Sequence, residues 1–186
     1  QSSLSQTWIV VAATVRGRLG RPEDIARRMA HIQMERETTQ PTRIATFLAP
    51  EIREGLVAVL ASPQIIVIRI KASGMFGSGS ATVTQRFVPI LERIGQALRD
   101  EPGNVQVIGH SDNVPIRTVQ FPSNFQLSKA RAEAAQAVIA RAIGDPSRLS
   151  AEGRADAEPI ADNSTPEGRE QNRRIELVMP RMERPL

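Results

Sequence analysis

Between residues 64 and 179 the spacing of apolar side chains alternates between the two-residue period of a strand and the 3.6-residue period of a helix, and few small folds satisfy that alternation. Gln64 to Lys71 is dense in isoleucine and valine and bounded by Pro63 and Gly74, the pattern of a buried strand. Val83, Phe87, Ile90, Leu91, Ile94 and Leu98 then share one helical face. They predict a helix over Thr82 to Leu98 in which Pro89 either makes a kink or marks where the regular part begins. Pro102-Gly103 turns the chain, and Val105 to Gly109 reads as a second strand. A loop from Asn113 to about Ser123 leads into a helix ending near Ile143, whose apolar side is mostly alanine with Leu127, Val138 and Ile139. Such a side must pack closely on something flat. Leu149 to Gly153 is a third strand, Thr165 to Arg173 a short helix, and Arg174 to Met179 a last strand with Ile175, Leu177 and Met179 on one side. The order β-α-β-α-β-(α)-β predicts an α/β (α+β) sandwich, with helices packed on one face of a small mixed sheet.

Upstream the signals are weaker. Residues 1–42 read as a separate, partly helical segment: Arg21-Pro22-Glu23-Asp24 suits a helix start, Ile25, Met29 and Ile32 form one apolar stripe, and Thr38 to Thr42 looks like a linker. Residues 43–63 form a helical lead-in carrying Ile44, Phe47, Leu48 and Ile52, interrupted by Pro50. The main domain then covers 64–180 and a tail 181–186. Trp8 to Ala13 is far shorter than the ~20 apolar residues that span a bilayer. A chain beginning at Gln1 suggests a fragment whose membrane anchor lies upstream.

Composition removes several functions. Aromatic residues make up 3% of the chain, with no tyrosine, so no platform exists for stacking bases. Of 24 basic residues only Lys71 and Lys129 are lysines, and the arginines are interleaved with 20 acids. The formal charge of +4 therefore does not form a basic stripe, and no nucleic-acid partner is expected. No cysteine is present, and the two histidines, His31 and His110, cannot build a structural zinc site, so neither metal nor cofactor is expected.

The chemistry concentrates after the second strand, in Gly109-His110-Ser111-Asp112-Asn113-Val114-Pro115-Ile116, Phe121-Pro122-Ser123-Asn124 and Leu127-Ser128-Lys129-Ala130-Arg131-Ala132. Asp112 falls at the carboxyl end of a strand and Arg131 near the start of the next helix. In a β-loop-α unit those ends share one edge of the sheet, where the helix N-terminus adds partial positive charge. An acid and a guanidinium facing one pocket suit a zwitterion: Arg131 takes a carboxylate, Asp112 an ammonium, and Asn124 either. Spacing alone favours the plainer reading, in which Asp112 caps a turn and Arg131 lies on a solvated face. His110-Ser111-Asp112 holds the residue types of a hydrolase triad, but neighbours on a strand point to opposite faces and no Gly-x-Ser-x-Gly elbow occurs, so no enzyme is expected. Gly74, Gly77 and Gly79 lack the Lys-Ser/Thr of a phosphate loop.

Gly109-His110-Ser111-Asp112, Asn124…Leu127-Ser128-x-x-Arg131-Ala132, Glu152-Gly153-Arg154 and Asn172-Arg173-Arg174-Ile175-Glu176 together resemble the OmpA C-terminal/MotB family over roughly residues 64–180. The resemblance implies an OmpA-like fold that binds the diaminopimelate of peptidoglycan stems through Asp112, Arg131 and Asn124, with Ser111 where the family usually has threonine. Phe76 to Ser80 lacks the Asp and Asn common there in OmpA proper, so no contact is expected from that loop. The loop between Asp112 and Asn124 is longer than in OmpA proper. Within the family, Phe47 to Ile52, Gly55 to Val59, Phe76-x-Ser78-Gly79-Ser80-Ala81 and Asp162 to Arg169 look more like the periplasmic extension of type VI secretion TssL (DotU/IcmH-type) proteins than like flagellar stator MotB. That resemblance implies a periplasmic domain of an inner-membrane protein in a Gram-negative bacterium, which anchors a secretion complex to the wall. Other membrane subunits and a second copy of itself are its implied partners. A MotB-like wall anchor, or an OmpA-like scaffold that binds proteins without peptidoglycan, are the alternatives.

Overall fold

The structure, a computed structural model, describes residues 42–181. The helix and the apolar run expected before Thr42 lie outside the described residues, as does the tail after Arg181. Thr42 caps helix α1 (Arg43–Phe47), its Oγ1 accepting the Ala45 N–H at 3.1 Å. Pro50 stands in the first turn of a second short helix, α2 (Ala49–Arg53), so it separates two helices rather than bending one. Gly55, at φ 69°, then turns the chain into strand β1 (Val57–Ala61). The lead-in expected to be helical through residue 63 is therefore a strand in its second half. A five-residue run such as Val-Ala-Val-Leu-Ala carries no period long enough to decide, and the partner strand decides instead.

Strand β2 (Ile65–Lys71) follows, then α3 (Val88–Arg99), β3 (Val105–His110), α4 (Asn124–Ile139), β4 (Leu149–Ala155), α5 (Pro166–Asn172) and β5 (Arg174–Pro180). Pro89 marks the start of α3, so Thr82 to Phe87 is irregular. Val83 pairs with Phe76 in an isolated antiparallel bridge instead of extending the helix. Beyond Ile139, α4 unwinds through turns that reach Ile143.

The sheet runs β1-β2-β5-β3-β4. β5 lies antiparallel to both β2 and β3, while β3 and β4 are parallel and joined by α4 as a βαβ unit. Ile66, Ile68, Ile70, Val105, Val107, Ile175 and Leu177 from one sheet face share a buried core with Leu91, Ile94 and Leu98 of α3 and Ala132, Ala135 and Ile139 of α4. Ile44 and Leu48 of α1 join the same core, so the lead-in is packed onto the domain that it precedes. The alanine-lined side of α4 meets a floor of two paired glycines. A Cβ on Gly109 would stand 2.0 Å from the Ser128 carbonyl oxygen, and one on Gly153 would stand 2.6 Å from the Lys129 nitrogen. The helix backbone rests directly on the sheet at this point, beside the edge where the candidate site lies.

Candidate functional site

Asp112 lies two residues past the end of β3, at the edge shared with the N-terminus of α4. Its Oδ1 accepts the Val114 N–H at 3.1 Å, closing an Asx turn. Its Oδ2 is ion-paired to Nη1 of Arg173, whose Nη2 reaches Glu170. Asp112 thus both caps a turn and carries an opposed charge, but its nearest cation is Arg173 and not Arg131. Only 11% of the Asp112 side chain is exposed, with Arg173 paired against it.

Arg131 lies two turns into α4 rather than near its start, and it is 7% exposed, not on a solvated face. Its Nε donates to the Ser80 carbonyl at 2.8 Å and its Nη2 to the Gly77 carbonyl at 3.2 Å, while the Phe76 ring lies 5.1 Å below the guanidinium. The glycine-serine loop, which lacks the Asp and Asn side chains common in OmpA proper, holds the arginine through the backbone oxygens of Gly77 and Ser80. Burial, and then the charge of Arg173, pull the Arg131 guanidinium below its ordinary pKa, while Asp112 pushes the other way. Arg131, Arg173 and Asp112 thus form one cluster of mutually interacting charges.

The other two expected ligand residues are committed to the protein. Asn124 donates through Nδ2 to the carbonyls of Asp112 (3.2 Å) and Val114 (2.9 Å) and accepts the Ile116 N–H at 3.2 Å, so its amide staples the long loop down. Ser111, 6% exposed, donates its hydroxyl to the Asp112 carbonyl at 2.8 Å. Both shape the loop, and neither presents a polar group to a ligand in this arrangement.

His110 faces the opposite side of the sheet. Neither of its ring nitrogens has a hydrogen-bond partner among the described residues, and Nε2 lies 3.5 Å from Glu176 Oε2. Glu176 also accepts from Arg69 (2.8 Å) and Arg174 (2.9 Å), giving a buried ionic cluster under the rim. With His110 turned to Glu176 and Ser111 to a backbone carbonyl, no proton relay links His110, Ser111 and Asp112. Among the described residues no group of three His, Asp or Glu side chains is arranged to hold a metal ion, and no helix is long and apolar enough to cross a membrane.

A mixed five-stranded sheet with helices on one face and a charge cluster at the carboxyl end of β3 defines an OmpA-like class of fold. The OmpA family model matches residues 75–173, and the chain belongs to that family. In structure it is similar to the cell wall anchor of the T6SS from Pseudomonas aeruginosa, with a TM-score of 0.71 and 44% identity, covering 76% of this chain and 99% of that one. In sequence it is similar to Motility protein B of Bacillus subtilis, 40% identical over 62% of this chain and 46% of that protein. It is also similar to the Peptidoglycan-binding protein ArfA of Mycobacterium tuberculosis, 33% identical over 56% of this chain and 31% of that protein. The chain spans about half the length of the first curated relatives it matches, or less.

Proposed function

We propose that this chain is a non-catalytic, periplasmic wall-binding domain that anchors a type VI secretion membrane complex to peptidoglycan. One observation carries the proposal: an acid and a guanidinium cluster at the sheet rim of a fold shared, at 44% identity, with a secretion-system wall anchor. The site recognises the zwitterionic end of a diaminopimelate side chain. Its ammonium takes Asp112 and its carboxylate takes Arg131. Arg173 is released from Asp112 in the exchange and keeps Glu170 as a resting partner, so no charge is left without a counter-charge.

Charge-assisted hydrogen bonds contribute about 1.5–3 kcal/mol each, and association costs at least ~4 kcal/mol, which places a single site at roughly micromolar to millimolar affinity. Weak single sites suffice for an oligomeric anchor facing many stems, because avidity raises retention by ~10²–10⁴. Retention on purified sacculi tests the assignment. Asp112→Ala and Arg131→Ala each abolish pull-down while circular dichroism stays unchanged, and undiminished retention of both variants removes the site.

The 40% identity to a motility protein favours a second reading, a stator-type anchor working on the same wall. Deleting the gene and scoring effector export against swimming separates the two. Loss of export with normal swimming supports the secretion anchor.

A further inference from the structure

Resting on the wall-binding site proposed above, we infer that Ser128 is a positioning residue that sets the separation of Asp112 and Arg131. Ser128 is 1% exposed, and its hydroxyl works in both directions: it donates to the Phe125 carbonyl at 3.0 Å and accepts the Ala155 N–H at 3.1 Å. The second contact leaves the helix for the sheet. Ala155, at φ 47°, is the one non-glycine among the described residues in the left-handed region, a conformation that persists only where surrounding contacts hold it. It sits at a register irregularity: Gly109 pairs with Gly153, but His110 pairs with Ala155, so Arg154 is an extra residue on β4.

This bulge points the Ala155 carbonyl at Ser111, whose N–H it accepts at 2.9 Å, and Ser111 in turn donates its hydroxyl to the Asp112 carbonyl at 2.8 Å. A continuous hydrogen-bonded rail therefore runs from α4 through Ala155 and Ser111 to Asp112. Arg131 lies three residues beyond Ser128 on the same helix, so the rail's starting point moves with the arginine. The glycine floor fixes how deep α4 sits, and Ser128 fixes how the end of β4, and through it the Asp112 turn, is held against that helix. A hydrogen in place of the hydroxyl, as in Ser128→Ala, leaves the Ala155 N–H without its acceptor and the strained turn without the contact that holds it.

The test is calorimetric titration of the full chain with free meso-diaminopimelate. Ser128→Ala is compared with Ile143→Val, a buried change past the C-terminal end of α4 chosen to lower the melting temperature to a similar extent. Ser128→Ala weakens binding about tenfold, the factor expected for one lost hydrogen bond. Ile143→Val leaves binding within about twofold, as expected for a distant, independent site. A merely structural role for Ser128 moves both variants together, and that result overturns the inference while leaving the site in place. An unmodified chain that binds no diaminopimelate overturns the site, and the inference with it.

Discussion

The Arg131 guanidinium is held by its own protein, with Nε and Nη2 on the carbonyls of Ser80 and Gly77 and the Phe76 ring beneath. A planar fork satisfies both carbonyls and stacks on the ring at once, so lysine cannot substitute although it keeps the charge. Arg131→Lys is expected to lower stability by about 1–2 kcal/mol, from the lost carbonyl contacts, and to release the chain from sacculi; urea unfolding and pull-down read the two effects. At Asp112 the decisive partner is Arg173, which the sequence showed only as part of the Asn172-Arg173-Arg174-Ile175-Glu176 motif. That residue was illegible because Arg173 stands 61 positions from Asp112 and meets it only when β5 inserts beside β3. With the Arg173 side chain 34% exposed, solvent screens the pair, so Arg173→Ala is expected to cost no more than about 1 kcal/mol in urea unfolding.

At the scale of elements, the two paired glycines do what no side chain does: they let the backbone of α4 touch the sheet. Gly109→Ala drives a methyl group into the Ser128 carbonyl, and with backbone on both sides nothing flexible gives way. The expected loss is at least about 2 kcal/mol, seen as a lower urea midpoint at pH 7. The alanine-rich pattern of α4 announced close packing, and the glycines that answer it were visible only as motif letters. Elements with a long, clear period were legible: β2, β3, α4 and β5 fall within a few residues of their expected bounds. The lead-in was not. Val57 to Ala61 becomes a strand because the outer edge of β2 offers it hydrogen-bond partners, a fact external to its own five residues.

Over the whole molecule, the sheet has two faces with different chemistry. One carries the aliphatic core, and the other carries the Arg69–Glu176–Arg174 cluster with His110. Burial pulls the His110 pKa below its ordinary 6.5, against the upward pull of Glu176. The unfolded chain then holds more protons than the folded one below that pH, so stability is complete above 6.5 and falls as the solution is acidified. Burial opposes ionisation of Glu176, but His110, Arg174 and Arg69 together hold its carboxyl well below the usual 4.5, and the stability this adds is lost as pH drops below that value. Both slopes have the same sign. Urea midpoints should decline from about pH 7 to pH 4, by up to about 1.4 kcal/mol per unit for each group, and His110→Asn should flatten the upper part of that decline. Local periodicity and motif order were enough to write down the layered fold and the rim where Asp112 and Arg131 gather, because those features depend on neighbours a few residues apart. Which cation holds Asp112, which backbone oxygens cradle Arg131, and the commitment of Asn124 and Ser111 to the loop arise from contacts between distant segments. Strand order creates those contacts, and no local pattern encodes it.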